Sequence, residues 1–319
     1  MRRTKIVVIT APSDQGDILQ DFLDWHLDLG VDLILAMDHG SRDASTALLD
    51  RYAKAGRVVW FPVTERDIRK YSPADELAAL ARDRYGADWI IHCDVDEFLS
   101  TSGVPLRDVL ARAERDGQTL ISVPRRTMTG PLMAPGQKAT EALTLRIDST
   151  VCATALAQVT WDLPVPFAFL DVGDHLIVRA SAFERYGPGA HVGTVAWGRQ
   201  GEIDGVYILH YAMRGFETLQ AKVANTRSWL AANSHLPPGM CWHWRRWIHL
   251  SDQGLLRHDY EQQFVSPERG RELVCSAVCA IDRTVADWLE RRSVAAMSAT
   301  PRWRWLSKLT GLTGRRAHT

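Results

Sequence analysis

The chain has 319 residues, and its 38 acidic side chains balance 38 lysines and arginines, so the formal charge is zero. A composition 46% hydrophobic and 24% charged predicts a packed core rather than disorder. Neutrality excludes nucleic acid as the main partner, because phosphate binding needs a basic footprint.

Five cysteines, Cys93, Cys152, Cys241, Cys275 and Cys279, show no CxxC spacing. They define neither a disulfide framework nor a zinc site, and reduced thiols in a cytoplasmic protein are expected. The opening MRRTKIVVIT reads as a first strand and not as a signal peptide. No apolar run reaches the roughly 18 residues that a membrane-spanning helix needs.

The first 125 residues alternate strand and helix. Lys5–Thr10 is a β-branched run typical of a buried parallel strand. Ile18, Leu19, Phe22, Leu23, His26 and Leu27 follow a helical period that ends at Gly30. Val31–Met37 is the second strand, and a helix from Ser41 or Asp43 closes at Gly56. Arg57–Phe61 is the third strand, halted by Pro62. Ser72-Pro73 opens a helix to about Tyr85. Asp88–Cys93 is the fourth strand, Leu106–Arg115 a helix and Thr119–Val123 a fifth strand. Beyond them, Val165–Gly173 reads as loop, His175–Arg179 and Val206–Tyr211 as short strands. Phe216–Ala232, Met240–Leu250 and Glu272–Glu290 read as helices.

This rhythm predicts an α/β three-layer sandwich of Rossmann type with a mostly parallel central sheet and a helical C-terminal extension. Right-handed crossovers put the strand C-termini on one edge, where such sheets bind ligands. Three polar clusters fall there: Ser13-Asp14-Gln15, Asp38-His39 and Asp94-Val95-Asp96. Asp94 and Asp96 are two residues apart, so an extended backbone would point both carboxylates the same way. Like charges held together call for a cation, and a divalent metal with oxygen ligands, bridging to a substrate diphosphate, supplies one.

Four stretches carry a family resemblance: DFLDWHLDLGVDLILAMDHGSRDAS, ADWIIHCDVDEFL, GAHVGTVAWGRQG and ILHYAMRGFETLQAK. Together, and in this order, they resemble the family 2-like glycosyltransferases of the GT-A fold, in the branch marked by Asp-x-Asp-Glu-Phe. The resemblance implies a metal-dependent enzyme that moves a sugar from a UDP- or GDP-sugar to a hydroxyl of a glycan or lipid-linked acceptor, with inversion. It implies Mn2+ or Mg2+ on Asp94 and Asp96, with His210 as a further ligand. Asp38 and Asp14 would meet the nucleoside, and Asp94, Arg214 and Lys222 the diphosphate, with His191 near donor or acceptor.

For the catalytic base the resemblance leaves Asp171, Asp174, Glu97 and Glu202 open; Glu97 and Asp174 are carried forward as catalytic candidates. Glu97 also suits a second role, holding the metal loop through backbone N–H groups. The chain departs from the family pattern at Asp14-Gln15 (in place of Asn-Glu), at SVPRRTMTG, and at His175, where a lysine is expected.

The expected organisation is a GT-A-like domain over residues 1–235, a helical extension over 236–297 and a basic Trp-containing tail over 298–319. The first domain divides into a nucleotide-binding half, 1–125, and an acceptor and metal-completing half, 126–235. CWHWRRWIHL reads as a helix apolar on one side and basic on the other. It suits core packing, an acceptor platform, or peripheral contact with the inner face of a membrane. Two rival readings of the whole chain are a metal-dependent phosphohydrolase and a catalytically degenerate sugar-nucleotide-binding module.

Overall fold

A computed structural model describes residues 3–299, apart from 66, 68, 70, 71, 153–160, 162, 164, 172 and 238. Four parallel strands, β1 (Ile6–Thr10), β2 (Leu33–Asp38), β3 (Val58–Pro62) and β4 (Trp89–His92), form one side of a seven-stranded sheet in the order β3-β2-β1-β4. The register pairs Val8 with both Ile34 and Ile91. Beyond β4 the sheet continues with His175–Arg179, then Gln118–Val123, then Arg199–Gly201. The His175–Arg179 strand is antiparallel to both neighbours. The expectation of a mostly parallel sheet therefore holds, with one reversed strand inside it.

Alternate residues of β1 serve opposite faces, as a sheet buried on both sides requires. Ile6 and Val8 join the core under α1 (Leu19–Asp28), α2 (Ser45–Lys54) and a helix over Leu106–Arg115. Val7 and Ile9 join the core under α3 (Pro73–Asp83) and the hairpin side chains Phe183, Tyr186 and Val195. Ser72 caps α3 by accepting the Asp75 N–H, and Pro73 occupies its first turn.

A second sheet of five strands was not foreseen. β5 (Glu97–Ser100) starts directly after the acidic turn and pairs antiparallel with Tyr207–His210, register Glu97 to His210. That strand pairs in parallel with Arg125–Thr129, which leads on to Leu145–Ile147 and Cys279–Ile281. The second sheet thus carries His210 to the acidic turn. α1 clamps β5 from behind: Trp25 Nε1 donates to Leu99 O (2.9 Å), and Leu99 N–H points to His26 Nε2 at 3.4 Å.

The C-terminal region is less separate and less helical than expected. The single helix expected over Glu272–Glu290 is two helices, Pro267–Cys275 and Thr284–Ala299, with the Cys279–Ile281 edge strand between them. Val285 and Trp288 belong to the main core, and Trp288 meets Trp25 edge-on. The chain from residue 300 onward, including most of the basic tail, lies outside the described residues.

Tract 242–247 lies on the helix Trp242–Asp252. There Trp247 is buried in a cluster with Phe167, Leu219 and Tyr260. Arg246 does not join an exposed basic face. It is buried, and it donates to Asp259 Oδ1 (2.5 Å) and to Trp161 O (2.7 Å). Core packing accounts for these two residues. No helix among the described residues is long and apolar enough to cross a membrane.

Candidate functional site

The chain turns where the sequence predicted extension. After β4 the Glu97 N–H donates to Asp94 O (3.0 Å), so Asp94–Glu97 is a tight turn between the two sheets. In a turn, two-residue spacing does not put Asp94 and Asp96 on one side as it would in a strand. Asp94 is exposed and Asp96 is 1% exposed.

Glu97 fixes the turn. Fully buried, it accepts the Asp94 N–H at Oε2 (2.9 Å) and Arg125 Nη1 at Oε1 (3.1 Å). His175 Nε2 lies 3.0 Å from Oε1, off the line of a hydrogen bond. This is the loop-holding role. The Glu97 side chain has no exposed surface, and both of its oxygens are engaged.

Asp96 sits under two cations. Its Oδ2 accepts from Arg214 Nη1 at 2.6 Å and from Lys222 Nζ at 3.2 Å. Burial raises its pKa, but Lys222, Arg214 and His210 outweigh that and hold it far below the usual carboxylate range. Arg214 is itself buried, and its Nε donates to Asp17 Oδ2 at 2.8 Å. His210 Nε2 stands 3.9 Å from Asp96 Oδ1. Desolvation, together with Arg125, lowers the His210 pKa to about 4, against the pull of Asp96.

The histidines around the turn are neutral near pH 7. His92 and His175 stack at 5.0 Å, and burial lowers their pKa values to about 4 and about 3. His191 packs against His175 and donates from Nδ1 to Asp174 O (2.9 Å), since a carbonyl can only accept. Asp174 is half-buried and accepts from Ser122 Oγ at Oδ2 (2.7 Å). Asp171 and Glu202, the other base candidates, are exposed.

Asp38, expected to meet the nucleoside, ends β2. It is 3% exposed, and its carboxylate accepts from Ser41 Oγ (2.5 Å) and Thr46 Oγ1 (3.3 Å). It holds the turn before α2 mainly through Oδ1, while Oδ2 has only contacts at 3.3 Å. Asp14 is similarly committed. Its backbone is left-handed, φ 51°, and its carboxylate accepts from Arg42 N–H (2.6 Å) and Asn225 Nδ2 (3.0 Å). Burial raises the Asp14 pKa, and these donors more than offset it.

What reaches the strand edge is a different set. A cavity of about 240 Å³ is lined by Ala11, Ser13, Gln15, His39, Lys222 and the rings of Trp229 and Trp244. Lys222 Nζ also lies 5.0 Å from the centre of the Trp244 ring, a cation–π contact. The sequence placed Ser13, Gln15 and His39 at this edge. It gave no signal for Trp229, and for Trp244 only the general reading of CWHWRRWIHL as a possible acceptor platform; both come from helices packed across the edge.

Two sets of atoms near the turn suit a divalent cation. The 3.9 Å gap between Asp96 Oδ1 and the neutral His210 is too long for a hydrogen bond, and both cationic partners of Asp96 sit on Oδ2. Ligand atoms of Asp94, Glu97 and His175 also lie within 4.8 Å of one another. Carboxylate oxygen with neutral imidazole is a donor set that Mn2+ accepts. Asp94, Glu97 and His175 therefore fit a divalent cation in kind, with Glu97 the least available because its oxygens are engaged, whereas the expected set Asp94, Asp96 and His210 does not come within that distance of one another.

No protein-family description matches this sequence, and no curated protein matches it significantly. Among solved structures, the chain is similar to S. aureus TarS (11% identity, TM-score 0.41), covering 69% of this chain and 39% of that one. It is similar to TarS 1–349 in complex with UDP-GlcNAc (11% identity, TM-score 0.44), covering 90% of this chain and 92% of that one. It is also similar to glucosyl-3-phosphoglycerate synthase from Mycobacterium tuberculosis in complex with Mn2+, UDP and phosphoglyceric acid. There the identity is 16% and the TM-score 0.35, covering 73% and 80% of the two chains. The chain thus spans about two fifths of the longer TarS chain. Scores at this level leave the functional reading to the residues of the chain itself.

Proposed function

We propose that this chain is a nucleotide-sugar-dependent glycosyltransferase. The observation that supports it best is one lysine with two roles. Lys222 lines the cavity at the ends of β1 and β2 and bonds Asp96 of the acidic turn behind β4. A nucleoside held at the first place has its diphosphate directed to the second. Trp229 and Trp244 on the cavity wall suit a base or ribose, and Lys222 suits phosphate as a point charge.

In this reading Asp94, Asp96 and His210 would hold Mn2+ or Mg2+. A bound cation supplies Lewis-acid neutralisation of charge developing on the leaving diphosphate. Lys222 and Arg214 add positive charge already fixed in place by Asp96 and Asp17. Asp174 is the base that takes the acceptor proton in an inverting transfer, being half-buried with one oxygen steadied by Ser122. Residues 1–235 would carry the chemistry, and the region after 236 contributes Trp244 to the donor cavity.

The test is release of UDP or GDP from a panel of nucleotide sugars with Mn2+, followed by a coupled assay. Donor-dependent nucleoside diphosphate release that Asp94→Asn abolishes is expected. Release of inorganic phosphate from phosphomonoesters, with no action on nucleotide sugars, would overturn the proposal in favour of a phosphohydrolase.

A further inference from the structure

The strand Gln118–Val123 of the first sheet and the strand Arg125–Thr129 of the second are one run of chain, with Pro124 alone between them. Proline lacks an N–H, so it suits a point where pairing passes from one sheet to another. On one side of it Val123 pairs with His175, and on the other Arg125 pairs with Ile208. Side chains from both sides of this crossing reach the loop that carries Asp174. Ser122 Oγ donates to Asp174 Oδ2 (2.7 Å), and Arg125 Nε donates to Gly173 O (2.8 Å).

The same guanidinium donates from Nη1 to Glu97 Oε1 (3.1 Å), and Glu97 Oε2 accepts the Asp94 N–H (2.9 Å). One planar fork, 9% exposed, therefore ties the Asp174 loop to the acidic turn. We infer that Arg125 is a positioning residue for the transfer: it sets the Asp174 carboxylate against the site by locking Gly173 to Glu97. The inference rests on the transferase reading, with Asp174 as its base. Ser122 and Arg125 both belong to SVPRRTMTG, where the chain departs from the family pattern, so the clamp is a feature of this chain.

An ion pair that merely held the turn would need only the bond to Glu97. The second bond goes to a loop with little of its own to fix it. Gly173 and Asp174 lie between two strands, Leu170–Asp171 and His175–Arg179. Gly173 is left-handed, φ 90°, and its N–H donates to Asp171 Oδ1 (2.9 Å). His191 covers the loop from outside: its Nδ1 donates to Asp174 O (2.9 Å), and its ring lies 3.7 Å from where a Cβ on Gly173 would stand. Ala190, just before it, has φ 57°. A left-handed alanine is strained, and such strain collects at functional sites.

A rate cycle on the whole chain tests the role, with wild type, Arg125→Lys, Asp174→Asn and the double variant. Release of UDP or GDP is followed from UDP-glucose, UDP-N-acetylglucosamine and GDP-mannose with Mn2+, water serving as acceptor. Lysine keeps the charge beside Glu97 but cannot hold carbonyl and carboxylate in one plane. A reacting group misplaced by about 1 Å loses up to about a hundredfold in rate. Arg125→Lys should therefore lower kcat at least tenfold and leave the donor KM within twofold. In the Asp174→Asn background, read with enzyme in excess, it should change the rate by less than twofold, since the group it positions is gone. Arg125→Gln should follow the same pattern, and the unfolding midpoint of each variant checks its folding.

A kcat loss below tenfold in Arg125→Lys, a donor KM raised beyond twofold, or a further loss beyond twofold in the Asp174→Asn background would overturn the role of Arg125 and leave the transferase reading standing. Failure of both Arg125 variants to fold would do the same, by assigning the residue to the fold alone. No release by wild type from any donor would overturn the transferase reading, and the role of Arg125 with it.

Discussion

Removing the Asp96 carboxylate should cost far more stability than a surface charge would. In Asp96→Ala the Arg214 guanidinium, 2% exposed, keeps only Asp17 as a partner, and the Asp17 side chain is 39% exposed. Breaking one side of a buried ion pair typically costs about 3–5 kcal/mol, because a desolvated charge is left behind. Lys222 is 30% exposed and can turn to solvent, so its lost bond adds little.

A loss of about 3 kcal/mol follows. With a urea slope of about 3 kcal/mol/M, the midpoint drops by about 1 M. The assay is urea unfolding followed by tryptophan fluorescence for wild type, Asp96→Ala, Arg214→Met and the double variant. The double variant should recover most of the loss, since it removes the stranded charge. A single-variant loss below about 1 kcal/mol, or a double variant no more stable than Asp96→Ala, would refute the reasoning.

Four buried histidines have depressed pKa values: His92, His175, His210 and His26, the last lowered by burial to about 4. Their unfolded forms take protons near pH 6.5 and their folded forms near pH 3–4. Stability should be full above pH 6.5 and fall as the pH drops toward 4, at a slope of up to about 1.4 kcal/mol per pH unit for each group. A flat stability profile between pH 6.5 and 4 in chemical denaturation would contradict this. Asp38→Asn should lower stability by about 1 kcal/mol through its turn bonds, and leave donor affinity within threefold. A tenfold loss of affinity in a calorimetric titration would return Asp38 to the nucleoside. Lys222→Met should weaken donor binding by about tenfold, roughly 1.4 kcal/mol. It should cost under about 1 kcal/mol of stability, because the side chain is partly exposed; equal donor affinity would remove Lys222 from the site.

The α/β half of the fold was legible because its signals are local. The β-branched run of β1, the periodic apolar residues of α1 and the Ser72-Pro73 start of α3 each report their own conformation. The second sheet was not legible, since β5 and Arg125–Thr129 are short and are defined by partners about 80 to 110 residues away. The acidic turn was located by its position after β4, but its shape was misread. Three carboxylates in four residues look like an exposed strand end, whereas Glu97 is turned inward to bond the Asp94 N–H. Asp38 shows the same limit, because a carboxylate at a strand end serves a turn or a ligand with the same residue type. Trp244 was flagged within CWHWRRWIHL as a possible acceptor platform, but its place at the strand edge depends on packing of the helix Trp242–Asp252 on Phe216–Ala232 and could not be found by spacing.

The central claim is that a nucleotide sugar binds at the ends of β1 and β2 with its diphosphate at the Asp94–Asp96 turn. Calorimetric titration of UDP- and GDP-sugars, with and without Mn2+, into wild type and Asp94→Asn measures it most directly. At least one donor should bind wild type only with Mn2+, and the variant at least tenfold more weakly. Absence of binding by every donor in the presence of Mn2+, or binding equally strong without the ion and in the variant, would contradict it.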